Sequence, residues 1–154
     1  VNTTKSYAHT QYGYWHYVFY VVAMVLFFIA WSDRQSPAVY GLSIGAVIVL
    51  LAGGFINQLT VRDRGEYLSL EFGFGPMFRK RFAYADMTSV EPDRSRVIDG
   101  WGIHYIIRRG WIYNVWGFDC VKLKLGEKIV RIGTDDVDGL VNFLRTKIGG
   151  RNAN

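Results

Sequence analysis

The chain has 154 residues, of which 50% are hydrophobic and 20% charged, and its formal net charge is +5. One soluble domain of about 100 residues accounts for part of that length and leaves a strongly apolar remainder. The single cysteine, Cys120, excludes an intrachain disulfide, and no CxxC or Cys/His cluster points to a structural zinc.

Residues 1–13 read as a short N-terminal segment. From Tyr14 to Trp31 the sequence YWHYVFYVVAMVLFFIAW carries no formal charge when His16 is neutral, and Tyr and Trp gather at both ends. A helix needs roughly 17 to 25 such residues to cross ~30 Å of hydrocarbon, and aromatic rings collect where hydrocarbon meets headgroups. The stretch predicts a transmembrane helix over 14–31 with Trp15, Tyr17 and Trp31 at the membrane interface. It is too long for the apolar core of a signal peptide, and a second apolar run follows at once. SDRQSP, with Pro37, is a tight turn; AVYGLSIGAVIVLLAGGFI over 38–56 then crosses back, so 14–56 is a helical hairpin.

Both chain ends then share one side, which carries Lys5, Arg62 and Arg64 against Arg34 in the turn. The positive-inside rule makes that side the cytoplasm. Gly41 and Gly45 stand one helical turn apart and let another backbone approach. Two partners fit them: the first span of the same chain, at Ala23 and Ala30, or another membrane protein. His16 sits in the aromatic belt beside Trp15 and Tyr17, a place where imidazoles reach headgroups or water.

Beyond Asn57 the pattern turns to period-two alternation broken by Gly, Pro and Asp, the signature of short antiparallel strands. Strands are predicted over 58–62, 67–72, 77–83, 87–91, 103–108, 111–116, 120–125 and 128–132, with a longer loop over 92–100. Tight corners fall at GFGP, at Arg109–Gly110 and at Gly126–Glu127. The period then becomes helical: Val137, Leu140, Val141, Leu144 and Ile148 make one stripe. Thr134 or Asp135 caps its start and Gly149 its end. The resulting fold class is a membrane α-helical hairpin followed by an α+β domain, a small antiparallel β-barrel or sandwich closed by one C-terminal amphipathic helix. Residues 58–150 form that domain and 151–154 a disordered tail.

From Leu59 to Ile148, FAYADMTSVEPD followed by GWGIHYIIRRGWIYNVWGFDCVKLKLGEKIVRIGTDDVDGLVNFLRTKI resembles the bacterial pleckstrin-homology-like domains found in small membrane proteins. Such chains carry transmembrane hairpins before the domain. After Gly-Ile the family often has arginine; this sequence has His104. The resemblance implies a PH-like fold, attachment to a bacterial inner membrane and, in most such proteins, no assigned catalysis.

Three tryptophans, Trp101, Trp111 and Trp116, crowd the strands of this region beside Arg108 and Arg109. These five are the candidates for gripping a partner protein or a lipid headgroup. Trp111 reads as the most core-like, and Trp101, flanked by glycines, as the most available. Alternation sets Ile103, Tyr105 and Ile107 on one face and His104, Ile106 and Arg108 on the other. The basic run Phe78–Arg81, FRKR, reads as a solvated strand face near the membrane, and no nucleic-acid partner is predicted. Lys122 and Lys124 share a strand face with Cys120 and favour its thiolate. His104, the domain's only histidine, would have to serve as its base, and a small buried side chain is the ordinary explanation. Asp135, Asp136 and Asp138 belong to a helix start and not to a metal loop. No catalytic, cofactor-binding or metal-binding residue is predicted. The expected function is therefore a non-catalytic accessory, scaffolding or assembly subunit of a membrane complex, partnered through the second span or the domain. A peripheral sensor of anionic headgroups is the alternative, and a pigment- or haem-associated subunit using His16 or His9 a weaker one.

Overall fold

The computed structural model describes residues 6–75, 77–96 and 100–149. The expected tail at 151–154, Lys5 and part of the 92–100 loop fall outside them. In chain order β1 (Ala8–Tyr12) leads into α1 (Trp15–Ser32) and α2 (Ala38–Ile56). Then come β2 (Gln58–Asp63), β3 (Tyr67–Phe72), β4 (Phe78–Ala83), a 3-10 turn (Tyr84–Asp86) and β5 (Met87–Arg94). A last group comprises β6 (Gly102–Ile106), β7 (Gly110–Asn114), β8 (Asp119–Leu125), β9 (Lys128–Gly133) and α3 (Val137–Gly149).

The two apolar helices coincide with the predicted spans to within a residue. Both are long and apolar enough to cross a membrane, and only 11% of each stretch is buried. A core helix of a soluble protein is mostly buried. Here Val18, Val21, Met24, Phe28, Ile44, Ile48 and Leu51 all face outward. The helices meet along a seam of small residues, Ala23 and Ala30 on α1 and Ala46 and Gly53 on α2. At Gly53 an added Cβ would lie 2.8 Å from the Tyr20 ring and 2.9 Å from the Phe19 Cβ.

Residues 8–12 of the N-terminal segment form a strand that the sequence pattern does not announce. β1 pairs antiparallel with β2 from Ala8↔Arg62 to Tyr12↔Gln58. The Gly13 N–H donates to the Asn57 carbonyl and the Asp63 N–H to the Tyr7 carbonyl, both at 2.7 Å, which extends the ladder past both ends. The helical pair is thus an insertion between two neighbouring strands, and the N-terminal strand sits at the same end of the helices as the domain. The far end of the chain holds it there: the Tyr7 hydroxyl donates to Asp136 Oδ2 at 3.0 Å, Tyr7 stacks on Phe143, and His9 meets Asp135.

The first sheet has the order β1-β2-β3-β4, the second β5-β8-β9-β7-β6. Of the expected antiparallel barrel or sandwich, two separate sheets are present, no barrel is closed, and the pairing is not wholly antiparallel. The 3-10 turn carries the chain from the edge of one sheet to the edge of the other, so β4 and β5 do not pair, and β7 runs parallel to β9 from Trp111↔Val130 to Tyr113↔Ile132. β5 also runs three residues beyond its predicted end; Pro92 is tolerated because β5 is an edge strand. Between the sheets Leu59, Leu70, Phe72, Val121, Leu123 and Ile132 are buried, and α3 closes the β5–β8 side with Leu140 and Leu144. That is the role expected of its stripe.

Three carboxylates tie the domain's flanks. Burial raises the Asp63 carboxyl, but the Tyr84 hydroxyl, the Gly65 N–H and Lys147 outweigh it and hold the group below its ordinary range. Burial acts likewise on Glu71 and is overcome by Arg64 and Arg79, and on Asp93 it is overcome by the Arg94 N–H and Arg131. The Arg131 Nε donates to Asp93 Oδ2 at 2.7 Å. Each group therefore releases its proton more readily folded than unfolded, and its contribution is complete above the unfolded pKa of about 4. Stability should stay level from neutral pH to about pH 5 and fall as pH drops through the depressed folded values; urea denaturation across pH 3–7 measures it. A maximum below pH 4 would be the opposite sign.

Candidate functional site

Three places concentrate the residues singled out in the sequence: the base of the helical pair, the outward face of α2, and the β6–β7 hairpin with the groove beside it. At the base the chain spends its aromatics on a joint. Trp101 stacks on Trp116 with centroids 6.1 Å apart and packs against Trp15 of α1 at 5.4 Å. Tyr14 meets the Trp116 ring edge-on at 5.1 Å, and Gln11 Nε2 donates to the Trp116 carbonyl at 2.9 Å. Trp101 is half-buried in this cluster, so the expectation that it is the most available tryptophan is corrected: Trp15, far away in sequence, covers it. Trp116 remains 37% exposed. Gly13 completes the joint, because an added Cβ would stand 2.6 Å from the Ile56 carbonyl oxygen and 2.8 Å from that of Val115.

His16 belongs to the same joint. Its Nδ1 donates to the Gly13 carbonyl, and its ring packs against Tyr17 and Tyr20. At the opposite end of the helices Arg34 lies over the Trp31 ring, 5.0 Å from its centroid. The outward face of α2 carries Gly41 and Gly45, and nothing lies within 4 Å of a Cβ built on either. Of the two partners left open by the sequence, Ala23 and Ala30 of α1 are thus taken by another seam.

Along β6–β7 the picture reverses a second expectation. Trp111 is not core: it is 43% exposed, with its ring against Tyr105 and Tyr113, because the sheets splay at this end and nothing covers the outer part of β7. Tyr113 and Val115, on the same alternating face, are buried. Arg108 lies exposed in the turn with a left-handed φ of +67°. Arg109 is engaged, its guanidinium reaching the Arg94 carbonyl at 3.4 Å while its own carbonyl accepts from Arg131. This turn lies at the Gly110 end of β7, and the other end reaches Val115 against Gly13. A five-residue strand spans ~17 Å, so the turn and the helix base lie at opposite ends of β7.

The splay opens a groove of about 710 Å³ that the sequence did not reveal. β4 forms one wall; Ile103, Trp111, Tyr113 and Val130 form the other, and Lys80 and Lys128 stand at its rim. A nonlocal feature of this kind has no local sequence signal beyond the FRKR alternation.

Cys120 is fully buried, and burial raises its thiol despite the Ser95 hydroxyl at 3.6 Å. The sequence expectation that Lys122 and Lys124 favour the thiolate is corrected; Lys122 instead pairs with Glu91 at 2.7 Å. Asp136 accepts the Gly139 N–H and its own N–H donates to Thr134 Oγ1, which are helix-start bonds. Among the described residues no cluster of three His, Cys, Asp or Glu could hold a metal. No known protein family matches the sequence, and no curated protein matches it.

Proposed function

We propose that the chain is a non-catalytic, membrane-anchored PH-like protein, an accessory, scaffolding or assembly subunit of a larger membrane complex. In this reading α1 and α2 cross a bacterial inner membrane, both termini are cytoplasmic, and the domain rests on the cytoplasmic side with Arg62 and Arg64 nearby. The observation that carries it is the insertion of the helical pair between β1 and β2, whose pairing clamps the domain to both helices at once. A domain held by a paired ladder and an aromatic joint has a fixed height and orientation, the property a scaffold needs and a tethered domain lacks. The apolar outward faces of both helices support the membrane setting, since soluble proteins rarely leave contiguous apolar surface of that size in water.

The partner is another integral membrane protein or a second copy, met through α2. The open Gly41–Gly45 face supports that choice, because small residues in lipid act by close backbone approach. Purification from native membrane in mild detergent should yield an assembly. Gly41→Ile and Gly45→Ile should each weaken it about tenfold or more in a sedimentation assay without lowering the unfolding temperature, as a Cβ added at either position meets nothing within 4 Å. A strictly lone monomer, or an assembly indifferent to both changes, would count against the proposal.

A further inference from the structure

We infer that the groove between the sheets takes an extended acidic peptide segment of a partner protein, added as a strand along the free edge of β4. The inference deepens the accessory-subunit reading and rests on it for its biological setting. β4 pairs with β3 on one side only, so its other edge offers backbone N–H and C=O groups to the groove. β4 has six residues, a length of ~20 Å. The volume, about 710 Å³, falls in the ~300–1,000 Å³ range of ligand clefts.

Side chains define the chemistry of the occupant. Phe78, Lys80 and Phe82 alternate onto the inner face of β4, while Arg79 turns outward to Glu71 at 3.4 Å. Arg81 lies over the Tyr67 ring at 5.0 Å and also borders the groove, so three cations, Lys80, Arg81 and Lys128, line it against one carboxylate, Asp86. Lys80 and Lys128 are different. Both are exposed at the rim of the groove, and among the described residues neither has a carboxylate within 4.0 Å. Opposite them Trp111, 43% exposed, and Ile103 supply an apolar wall for alternate side chains of an added strand. An occupant with carboxylates at one period-two position and apolar residues at the other meets both.

Other occupants fit less well. Two β4 strands placed edge to edge would set lysine and arginine against lysine and arginine, which opposes pairing with a second copy. A hydrocarbon chain would leave the backbone donors and acceptors of β4 unpartnered. An inward lysine on an edge strand repels indiscriminate strand pairing, and the same lysine selects a strand that brings a carboxylate.

The test uses the full-length protein in detergent micelles and four ten-residue peptides. Three place valine at every second position with Glu, Lys or Ser between, and the fourth is the Glu peptide N-methylated at alternate residues. Binding is read by fluorescence polarisation, and protection of the β4 amides by hydrogen exchange. The Glu peptide should bind at least tenfold tighter than the Lys peptide and protect Phe78–Ala83; N-methylation should abolish both effects. In the doubly substituted Lys80→Glu, Lys128→Glu protein the preference should reverse, and both sites are exposed, so the fold is not at risk. No peptide binding, equal affinity for the three peptides, undiminished binding of the methylated one, or protection of β4 by phosphatidylglycerol vesicles alone would overturn the inference. Binding is read on the isolated chain, so failure of assembly through α2 leaves this result intact, and a chain that assembles normally but binds none of the peptides sinks this inference alone.

Discussion

Gly110→Ala is expected to destabilise the domain by about 2–5 kcal/mol, the sum of ~1–2 for a left-handed L-residue and ~1–3 for forced overpacking. Gly110 holds φ at +85°, and a Cβ there would fall 2.1 Å from the Ile129 carbonyl oxygen and 2.8 Å from its carbonyl carbon. Both atoms are backbone, so relief requires moving β9, whose parallel pairing with β7 carries Trp111, Tyr113 and the wall of the groove. Gly126→Ala is the matched control. Its φ of +57° is also left-handed, in the β8–β9 turn, but no atom lies within 4 Å of the added Cβ. It should cost only the ~1–2 kcal/mol of the left-handed conformation. Urea denaturation of the two variants in micelles separates conformational cost from contact; equal losses would mean that β7 and β9 are not packed this closely.

The second large effect is expected at Gly13. Alanine there drives a methyl between the Ile56 and Val115 carbonyl oxygens, at 2.6 and 2.8 Å, and neither belongs to a flexible side chain. The end of α2 or the end of β7 must move, and the bond from Gly13 N–H to the Asn57 carbonyl is the first to be lost. A cost of about 1–3 kcal/mol follows from overpacking alone. A readout specific to the joint is hydrogen exchange: the Ala8–Tyr12 amides should lose protection while those of β8 and β9 keep theirs. Uniform loss through both sheets would show that the joint is not a separate unit.

Much of this architecture is written locally. Continuous apolar runs bounded by Trp15 and Pro37 specify the helices, and the steps from Leu140 to Leu144 specify the buried stripe of α3, because each depends on neighbours within two turns. β3 is placed to the residue, since Tyr67–Phe72 is flanked by glycines on either side. β1 has no such local signal, because AHTQY has a single buried side chain, Gln11, and its partner β2 lies beyond both helices. The exposure of Trp101 and Trp111 is nonlocal for the same reason. Alternation says which side chains share a face, but whether that face is covered depends on Trp15 reaching Trp101 and on the splay that leaves Trp111 bare. The open groove and the engaged Arg109 are likewise properties of two sheets meeting, not of either strand.

Insertion of the helical pair as a membrane hairpin, with β1 and the domain together on one side, is tested most directly by labelling single cysteines with a membrane-impermeant maleimide in expressing bacterial cells. Buried Cys120 stays silent, and the three sites are the exposed Ser6, Gln35 and Glu127. Gln35→Cys should react in right-side-out spheroplasts only, and Ser6→Cys and Glu127→Cys in inverted vesicles only. Reaction of all three from one side, or of Ser6→Cys and Glu127→Cys from opposite sides, would contradict it.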